Sequence, residues 1–235
     1  MIWDKFFDAM KELFMNEVCR YLVIAGCSRY WAGYSIGFFM PKFFGGVYPS
    51  YYVKYYSTMN AAVVSLCGLA SSVGGGIISD YFDKKGYHVS KAMVCFVGTA
   101  LGIPTIILCT CVQNNFWISM TGLALEYLFA ECWIGPTITM ILGVVSNKNK
   151  GFAVGAFLFF ASIFGMIATS VMGSISEKQD TKTHPSRAGY ILVISVCCGY
   201  GLSLPFFLIA GWKFRALKLK EAREKAAEEE RLKEE

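Results

Sequence analysis

Charged side chains are scarce in this sequence: Asp, Glu, Lys and Arg make up 17% of its 235 residues, and only 2 residues are His. Hydrophobic residues account for 55%, and the mean hydropathy is +0.45. These values exclude a disordered chain and an ordinary soluble nucleotide-binding enzyme. The apolar residues form about six blocks of roughly 20 residues, which is the length of a membrane-spanning helix. We therefore predict an all-α integral membrane protein with six transmembrane helices.

Motifs that carry chemistry are also missing from the sequence. The 9 cysteines include no Cys-x-x-Cys pair and fall mainly inside the apolar blocks, so we interpret them as small buried hydrophobic residues. The run Gly74-Gly75-Gly76 is not followed by the Lys-Ser/Thr of a phosphate-binding loop, and the sequence holds no Ser-His-Asp set. We expect no cofactor, no metal site, no nucleic-acid partner and no enzymatic activity.

The hydrophobic pattern divides the chain into three parts. Residues 1–18 place apolar and charged side chains on opposite sides of a helix, which is typical of an amphipathic interfacial helix. Residues 19–212 form the six-helix transmembrane domain, and residues 213–235 are a charged helical tail of helix-forming residues. The apolar side of the first helix comprises Ile2, Trp3, Phe6, Phe7, Met10, Leu13 and Phe14, and the charged side comprises Asp4, Lys5, Asp8, Lys11 and Glu12.

Loops and breakers predict the limits of the spans. We expect the first span to end at Pro41, and the fourth to bend at Gly135-Pro136. Because only residues 113–115 separate the third and fourth spans, those two should be antiparallel neighbours. In the second span, Gly68, Ser72 and Gly76 repeat every four residues, a pattern that lets another helix approach closely. The predicted spans are about 19–40, 58–82, 92–112, 116–145, 152–175 and 189–212.

The distribution of Lys and Arg predicts the orientation in the membrane. With six spans, the two termini and the loops at 83–91 and 146–151 share one face, which holds more basic residues than the other. The positive-inside rule then places both termini on the inner side. The inner basic residues are Lys5, Lys11, Lys84, Lys85, Lys91, Lys148, Lys150, Lys213, Arg215, Lys218 and Lys220, against Lys42, Lys54, Lys178, Lys182 and Arg187 outside.

A loop at the inner end of the second span carries a family resemblance. Residues 76–86 read Gly-Ile-Ile-Ser-Asp-Tyr-Phe-Asp-Lys-Lys-Gly. This stretch resembles the signature loop of the major facilitator superfamily (MFS), in which Gly-x-x-x-Asp is followed by a basic turn. Gly76, Asp80, Lys84 and Lys85 fall on the positions of that pattern.

Two further stretches narrow the resemblance to spinster-like members of the superfamily. Residues 29–34, Arg-Tyr-Trp-Ala-Gly-Tyr, look like the seventh helix of those proteins, and residues 125–127, Leu-Glu-Tyr, with 133–136, Trp-Ile-Gly-Pro, look like the tenth. The likeness extends from residue 1 to about 212 and concerns only the carboxyl-terminal six-helix half. It implies half of a fold in which two related halves enclose a midplane site. It also implies a membrane protein partner: an amino-terminal half, a second copy or a large complex.

Charged residues inside the predicted spans are the candidate site residues. An intramembrane charge should face protein or water rather than lipid. Glu126 and Glu131 are about 140° apart around a regular helix. We therefore assign Glu126 to a central cavity, opposite Arg29, and Glu131 to an interhelical contact; the alternative is that Arg29 and Glu126 form a buried structural pair without a transport role. The candidate pathway residues are Arg29, Tyr30, Tyr34, Glu126 and Trp133.

Asp80 has two interpretations. The resemblance implies that it contacts a helix end and basic residues, partly in the other half, and helps to lock one state of alternating access. The alternative, which we favour, is a structural carboxylate at a helix end that Lys84 and Lys85 neutralise.

Two functions of different classes follow. The first is an MFS-type transporter half-unit that needs a partner to form a solute pathway. The second is a non-transporting, transporter-derived accessory subunit of a large membrane complex, such as a respiratory complex of the mitochondrial inner membrane, because a half-transporter leaves an apolar interface that needs a permanent partner. Membrane lipids are partners in both. The organelle stays open, with the mitochondrial inner membrane as one candidate.

Overall fold

The computed structural model is a bundle of long helices and describes residues 2–181 and 183–234, with the side chains of residues 2–6, 8, 9, 233 and 234 outside the description. Several predicted features therefore lie outside the described residues. They are Met1, Lys182 and Glu235, and the side chains of Ile2, Trp3, Asp4, Lys5, Phe6 and Asp8.

Helices account for most of the described chain. Helices α3, α4, α7 and α8 are each long and apolar enough to cross a membrane, which confirms the all-α membrane class, while the count of six spans stays a prediction. The helices are α1 Ile2–Met15, α2 Glu17–Val47, α3 Pro49–Lys84, α4 Ser90–Cys111, α5 Phe116–Ala130, α6 Ile134–Leu142, α7 Lys150–Lys178 and α8 Pro185–Glu234.

Local sequence signals set several helix ends. Asn16 caps α2 by accepting hydrogen bonds from the backbone N–H groups of Val18 and Cys19, and Asn115 caps α5 in the same way. Such caps satisfy backbone donors that the first helical turn leaves free. Gly86, with a φ of 88°, makes the turn between α3 and α4, a conformation that favours glycine.

The prolines act differently from the sequence-based prediction. Helix α2 continues through Pro41 to Val47, and α3 begins at Pro49 rather than near residue 58. Phe43 and Phe44 are fully buried after Pro41, so packing holds this part of the helix in place. Two π-helical turns, Tyr52–Tyr56 and Val63–Cys67, lie within α3.

The break in the fourth span falls one turn earlier than predicted. A 3₁₀ turn, Glu131–Trp133, separates α5 from α6, and the chain is helical again at Gly135-Pro136. Pro136 has no N–H, and its ring crowds the carbonyl four residues earlier, at Cys132. The proline therefore disrupts the turn that precedes it rather than its own position.

Glycines bring the helices of the bundle close together. A Cβ added to Gly122 of α5 would lie 2.6 Å from the Cys109 nitrogen of α4, so these two helices are neighbours, as the short loop between them predicted. A Cβ on Gly199 of α8 would lie 2.8 Å from the Ser28 carbonyl of α2. Side chains at these positions would separate the helices.

The close-packing stripe of α3 is not the predicted one. Ser71, Gly75 and Ser79 are buried against the bundle, and a Cβ on Gly75 would lie 2.5 Å from that of Cys132. On the predicted stripe, a Cβ on Gly76 would meet nothing within 4 Å. Small residues occupy both faces of this helix, so their spacing alone could not identify the packed one.

Helix α1 is attached to the bundle by a carboxylate and an aromatic side chain. Glu12 accepts hydrogen bonds from the Ser146 N–H at 2.6 Å, the Ser146 hydroxyl at 2.9 Å and the Asn149 amide at 2.9 Å. Burial alone would raise the pKa of Glu12, but the bonds from Asn149 and Ser146 outweigh it and hold this pKa below its ordinary value. Leu13 is fully buried, and Phe14 packs edge-on against Phe160 at 5.3 Å.

Candidate functional site

Arg29 is the centre of a buried polar network. Its side chain is 1% exposed, and it lies in α2, which packs against α8; the guanidinium reaches the last residue of α5. The Nη2 atom donates a hydrogen bond of 2.5 Å to the Ala130 carbonyl and lies 3.9 Å from Oε1 of Glu131. The guanidinium therefore joins α2 to the carboxyl end of α5.

The break in the fourth span frees the Ala130 carbonyl to accept the hydrogen bond from Arg29. In a regular helix the carbonyl of Ala130 would accept from the N–H four residues later, but the 3₁₀ turn at Glu131–Trp133 interrupts that ladder. A buried carbonyl needs a partner, and a cationic donor is a strong one. Arg29 therefore supplies the hydrogen-bond donor for a carbonyl at the helix break.

Tyr200 is a site residue that the sequence analysis missed. The Arg29 Cζ atom lies 4.0 Å from the centre of the Tyr200 ring and 5.4 Å from that of Trp133. The Tyr200 hydroxyl donates a hydrogen bond to Oε1 of Glu126, which is fully buried. The available signal was a tyrosine between Gly199 and Gly201 in an apolar span, since a buried phenol needs a hydrogen-bond partner.

The two glutamates have different positions from those expected. The ion pair of Arg29 is with Glu131 rather than with Glu126, and Tyr200 links the guanidinium to Glu126. Glu131 makes the interhelical contact that the sequence predicted, and it is also 30% exposed, whereas Glu126 is sealed. Of the two carboxylates of this network, Glu131 is the one that is partly exposed.

The predicted aromatic residues surround the network at different depths. Tyr30 and Tyr34 are half-buried, with ring centres 5.9 Å apart. Trp133 is 4% exposed and packs edge-on behind Tyr30 at 5.9 Å, so it supports the surface instead of lining it. The Tyr34 ring packs against Gly165 of α7, where an added Cβ would lie 2.6 Å from the ring.

The network leaves polar atoms without partners. Among residues 2–181 and 183–234, the Arg29 Nε and Nη1 atoms and the Glu126 Oε2 atom are buried and have no hydrogen-bond partner. Such atoms are costly in a protein interior and often occur where function requires them. These unpaired atoms belong to Arg29 and Glu126, both of which are candidate site residues from the sequence analysis.

The signature-like loop forms its own charged cluster. Lys91 of α4 lies 3.0 Å from Asp83 and 3.8 Å from Asp80, and His88 contacts Asp83 at 2.7 Å. The counter-charge of Asp80 is therefore Lys91, not Lys84 and Lys85 as we expected. Lys85 instead lies over the Tyr81 ring. Asp80 remains 54% exposed.

Two large cavities lie away from this network. One, of about 850 Å³, is between α2, α7 and α8, and the other, of about 880 Å³, is between α3, α4 and α5. Neither is lined by Arg29, Glu126 or Glu131. The partly exposed polar side chains beside the network are those of Tyr30, Tyr34 and Glu131.

Comparisons with known proteins agree with this fold. No protein-family model matches the chain. An MFS-type efflux pump of Mycolicibacterium smegmatis is 24% identical over 125 residues, which are 53% of this chain and 29% of the pump. A bacterial homologue of the human lysosomal transporter Spinster, solved in an inward-facing and unoccupied conformation, matches with a TM-score of 0.54 and 16% identity over 89% of this chain and 49% of that protein. The chain thus spans about half of the Spinster homologue, and the resemblance is confirmed: it is an integral membrane protein that folds like half of a spinster-like MFS transporter.

Proposed function

We propose that this chain is one six-helix half of an MFS-type transporter and that a solute pathway forms where it meets a second six-helix bundle. The six spans in this proposal are α2, α3, α4, the pair α5 and α6, α7, and α8, with residues 1–18 and 213–235 flanking the membrane domain at 19–212. The chain takes the place of the carboxyl-terminal half, with both termini on the inner side. The observations that support the proposal are the similarity in fold to the Spinster homologue and the open space above Gly76 on α3, where a second bundle can pack.

One surface of α2 has the properties of a pathway wall. A Cβ added to Gly33 or Gly37 would meet nothing within 4 Å, and Tyr30 and Tyr34 lie on the same side of the helix. Glu131 lies 3.9 Å from Arg29, the residue that precedes Tyr30 in α2. We call Tyr30, Gly33, Tyr34, Gly37 and Glu131 the tyrosine face. It offers phenol rings and one carboxylate to a solute, while Arg29 behind it holds Glu131 in position.

A stripe on α3 fits a contact with the second bundle. Gly68, Ser72, Gly76 and Asp80 follow one another at four-residue spacing and lie on one side of the helix. Gly76 has open space above it, and Asp80 is half-exposed at the end of the stripe. Small residues at this spacing permit close approach of a helix, and Asp80 can then form an ion pair across the interface.

Association tests the interface directly. We expect the full chain in mild detergent to purify with a second six-helix chain, and Gly76→Leu to lose that partner because leucine occupies the stripe. Gly74→Leu is the matched control, since a Cβ on Gly74 also meets nothing within 4 Å but lies on the opposite side of α3. Native mass spectrometry measures the stoichiometry. Equal retention of the partner in both variants would contradict the interface.

Water access tests the pathway without knowledge of the solute. In a background where Cys198 and the other native cysteines are replaced, we expect a membrane-impermeant maleimide to label Gly33→Cys in the assembled protein. Ile194→Cys is the control, because Ile194 is 63% exposed but lines the apolar cavity between α2, α7 and α8. Maleimides react with thiolates in water, so a lipid-facing cysteine stays unlabelled. Protection of both positions would exclude an aqueous pathway on the tyrosine face.

One observation favours the second function, that of a non-transporting subunit of a large membrane complex. Arg29 and Glu126 are both buried, and Tyr200 joins them, which is the arrangement expected of a structural network. The same two experiments separate the functions. A large assembly in detergent, together with protection of Gly33→Cys, supports the subunit, whereas a pair of six-helix chains with a labelled cysteine supports the transporter.

A further inference from the structure

The groove between α2, α7 and α8 has the dimensions of a site for one lipid chain. Its volume is about 850 Å³. Along α8 it extends from Ile191 to Leu202, about 16 Å at 1.5 Å per residue, and along α7 from Phe160 to Ile175, about 22 Å. The hydrocarbon layer of one leaflet is about 15 Å thick. The groove therefore matches the length of one acyl chain.

The polar side chains in the groove are already satisfied by the protein. The Trp31 Nε1–H donates to the Ser195 hydroxyl at 3.0 Å, and Ser195 shares a hydrogen bond of 3.1 Å with Ser35. The Ser28 hydroxyl donates to the Ile24 carbonyl at 2.9 Å. The walls consequently present mostly apolar atoms, so the part of an occupant that enters the groove must be apolar as well.

One end of the groove is marked by the interfacial helix. Phe14 of α1 lines this end and packs against Phe160 of α7. Because α1 is amphipathic and is held beside the loop between α6 and α7 through Glu12, this end corresponds to the depth of lipid headgroups.

Positive charge lies at the same end. Arg20 precedes Ile24 by one helical turn and shares a stripe of α2 with Ile24 and Trp31, which both line the groove. Its side chain is 50% exposed. Arg20 and Lys213 contact the single carboxylate of Glu17, at 3.9 Å and 2.7 Å, so two positive charges and one negative charge leave the cluster with a net positive charge.

We propose that this groove holds one acyl chain of a phospholipid with an anionic headgroup, whose phosphate contacts Arg20. The apolar walls select the chain, and the unbalanced charge of the cluster selects an anionic headgroup over a zwitterionic one. The bound lipid fills the space between α7 and α8 and joins them to α2.

Trp31 provides the measurement, because its fluorescence is quenched by a bromine atom nearby. The full chain is placed in nanodiscs of phosphatidylcholine that contain increasing fractions of dibrominated phosphatidylglycerol or dibrominated phosphatidylcholine. The Trp31 signal is the difference between wild type and Trp31→Phe. We expect half-maximal quenching at about a fivefold lower fraction of the anionic lipid, which corresponds to about 1 kcal/mol for one basic residue near the membrane surface.

Variants separate the charge from the groove. Arg20→Gln should abolish the preference for the anionic lipid, and Arg20→Lys should keep it. Cys198→Phe, at an exposed groove position, should weaken quenching by both lipids, whereas Gly74→Leu, in the cavity between α3, α4 and α5, should change neither. Size-exclusion chromatography verifies that each variant is folded.

Three results would overturn the proposal. Equal quenching by the two brominated lipids in the wild type would remove the headgroup selectivity, and so would a preference that survives in Arg20→Gln. An absence of Trp31 quenching by either lipid would show that something other than a phospholipid, such as a helix of another chain, fills the groove.

Discussion

Removing the exposed counter-charge Glu131 should cost more stability than removing the buried cation Arg29. Glu131→Ala leaves a guanidinium that is 1% exposed and whose Nε and Nη1 atoms already lack a hydrogen-bond partner among the described residues. Breaking a buried ion pair by removing one member costs about 3–5 kcal/mol. Because Glu131 is 30% exposed and 3.9 Å away, we expect a smaller cost of about 1–3 kcal/mol.

Arg29→Met has opposing contributions of similar size. It loses the charge-assisted bond to the Ala130 carbonyl, about 1.5–3 kcal/mol, and the contact with the Tyr200 ring, up to about 2 kcal/mol. It also relieves the burial of a charge, an effective penalty of several kcal/mol. We therefore expect this variant to lie within about 1 kcal/mol of the wild type.

The double variant, Arg29→Met with Glu131→Ala, tests whether the two effects depend on each other. Glu131→Ala destabilises because it leaves the buried charge of Arg29 without a counter-charge. When methionine replaces Arg29 this charge is absent, so the double variant should be more stable than Glu131→Ala alone. The measurement is the thermal unfolding midpoint of the purified chain in detergent. Lys220→Met and Glu224→Ala, on an exposed pair at 3.8 Å, are controls that should change nothing. The reasoning fails if Arg29→Met is less stable than Glu131→Ala, or if the two losses simply add.

Variants test three further contacts. Gly75→Ala should destabilise by about 1–3 kcal/mol, because its Cβ meets the 3₁₀ turn at 2.5 Å, while Gly76→Ala, with open space, should not. Tyr200→Phe keeps the stacking on the guanidinium but leaves the Glu126 carboxyl without its donor, so it should cost about 1–3 kcal/mol in the same unfolding assay. The folded-state pKa of Glu12 is below its ordinary value of 4.5, so its stabilising effect is complete above that pH and is lost as the pH falls through the folded-state pKa. Unfolding midpoints of wild type and Glu12→Gln should therefore differ at neutral pH and converge in acid.

Each of these variants has an outcome that contradicts its premise. Equal midpoints for Gly75→Ala and Gly76→Ala would contradict the packing of α3 against the bundle at Gly75 and not at Gly76. An unchanged midpoint for Tyr200→Phe would make its hydroxyl dispensable. A pH-independent gap for Glu12→Gln would show that charge plays no part in the attachment of α1.

The helical blocks and the family resemblance could be predicted from the sequence because both depend on local pattern. The partner of Arg29 could not. Counting about 100° per residue assumes an unbroken helix, but Glu131 is the first residue of the 3₁₀ turn, so the phase of α5 does not set its direction. The break itself follows from Pro136, yet a proline in an apolar span can also be absorbed, as Pro41 is in α2.

The role of Tyr200 and the packed face of α3 could not be predicted from the sequence, because both are set by tertiary contacts. Tyr200 is 74 residues from Glu126 in the chain, and no local pattern connects the two. On α3, the stripes that begin at Gly68 and at Ser71 are equally small, so only the position of Cys132 decides which one packs. The unpacked stripe is informative for the same reason, because its small residues are not required by this bundle.

The uninterrupted helix α8 has a mechanical consequence. It contains 50 residues, so it is about 75 Å long, and the portion beyond Trp212 extends about 33 Å past the last predicted span. For a straight helix of that length, a tilt of about 10° in its membrane portion corresponds to a displacement of about 6 Å at residue 234. A spectroscopic label near residue 230 would therefore move farther than the bundle itself when the bundle tilts.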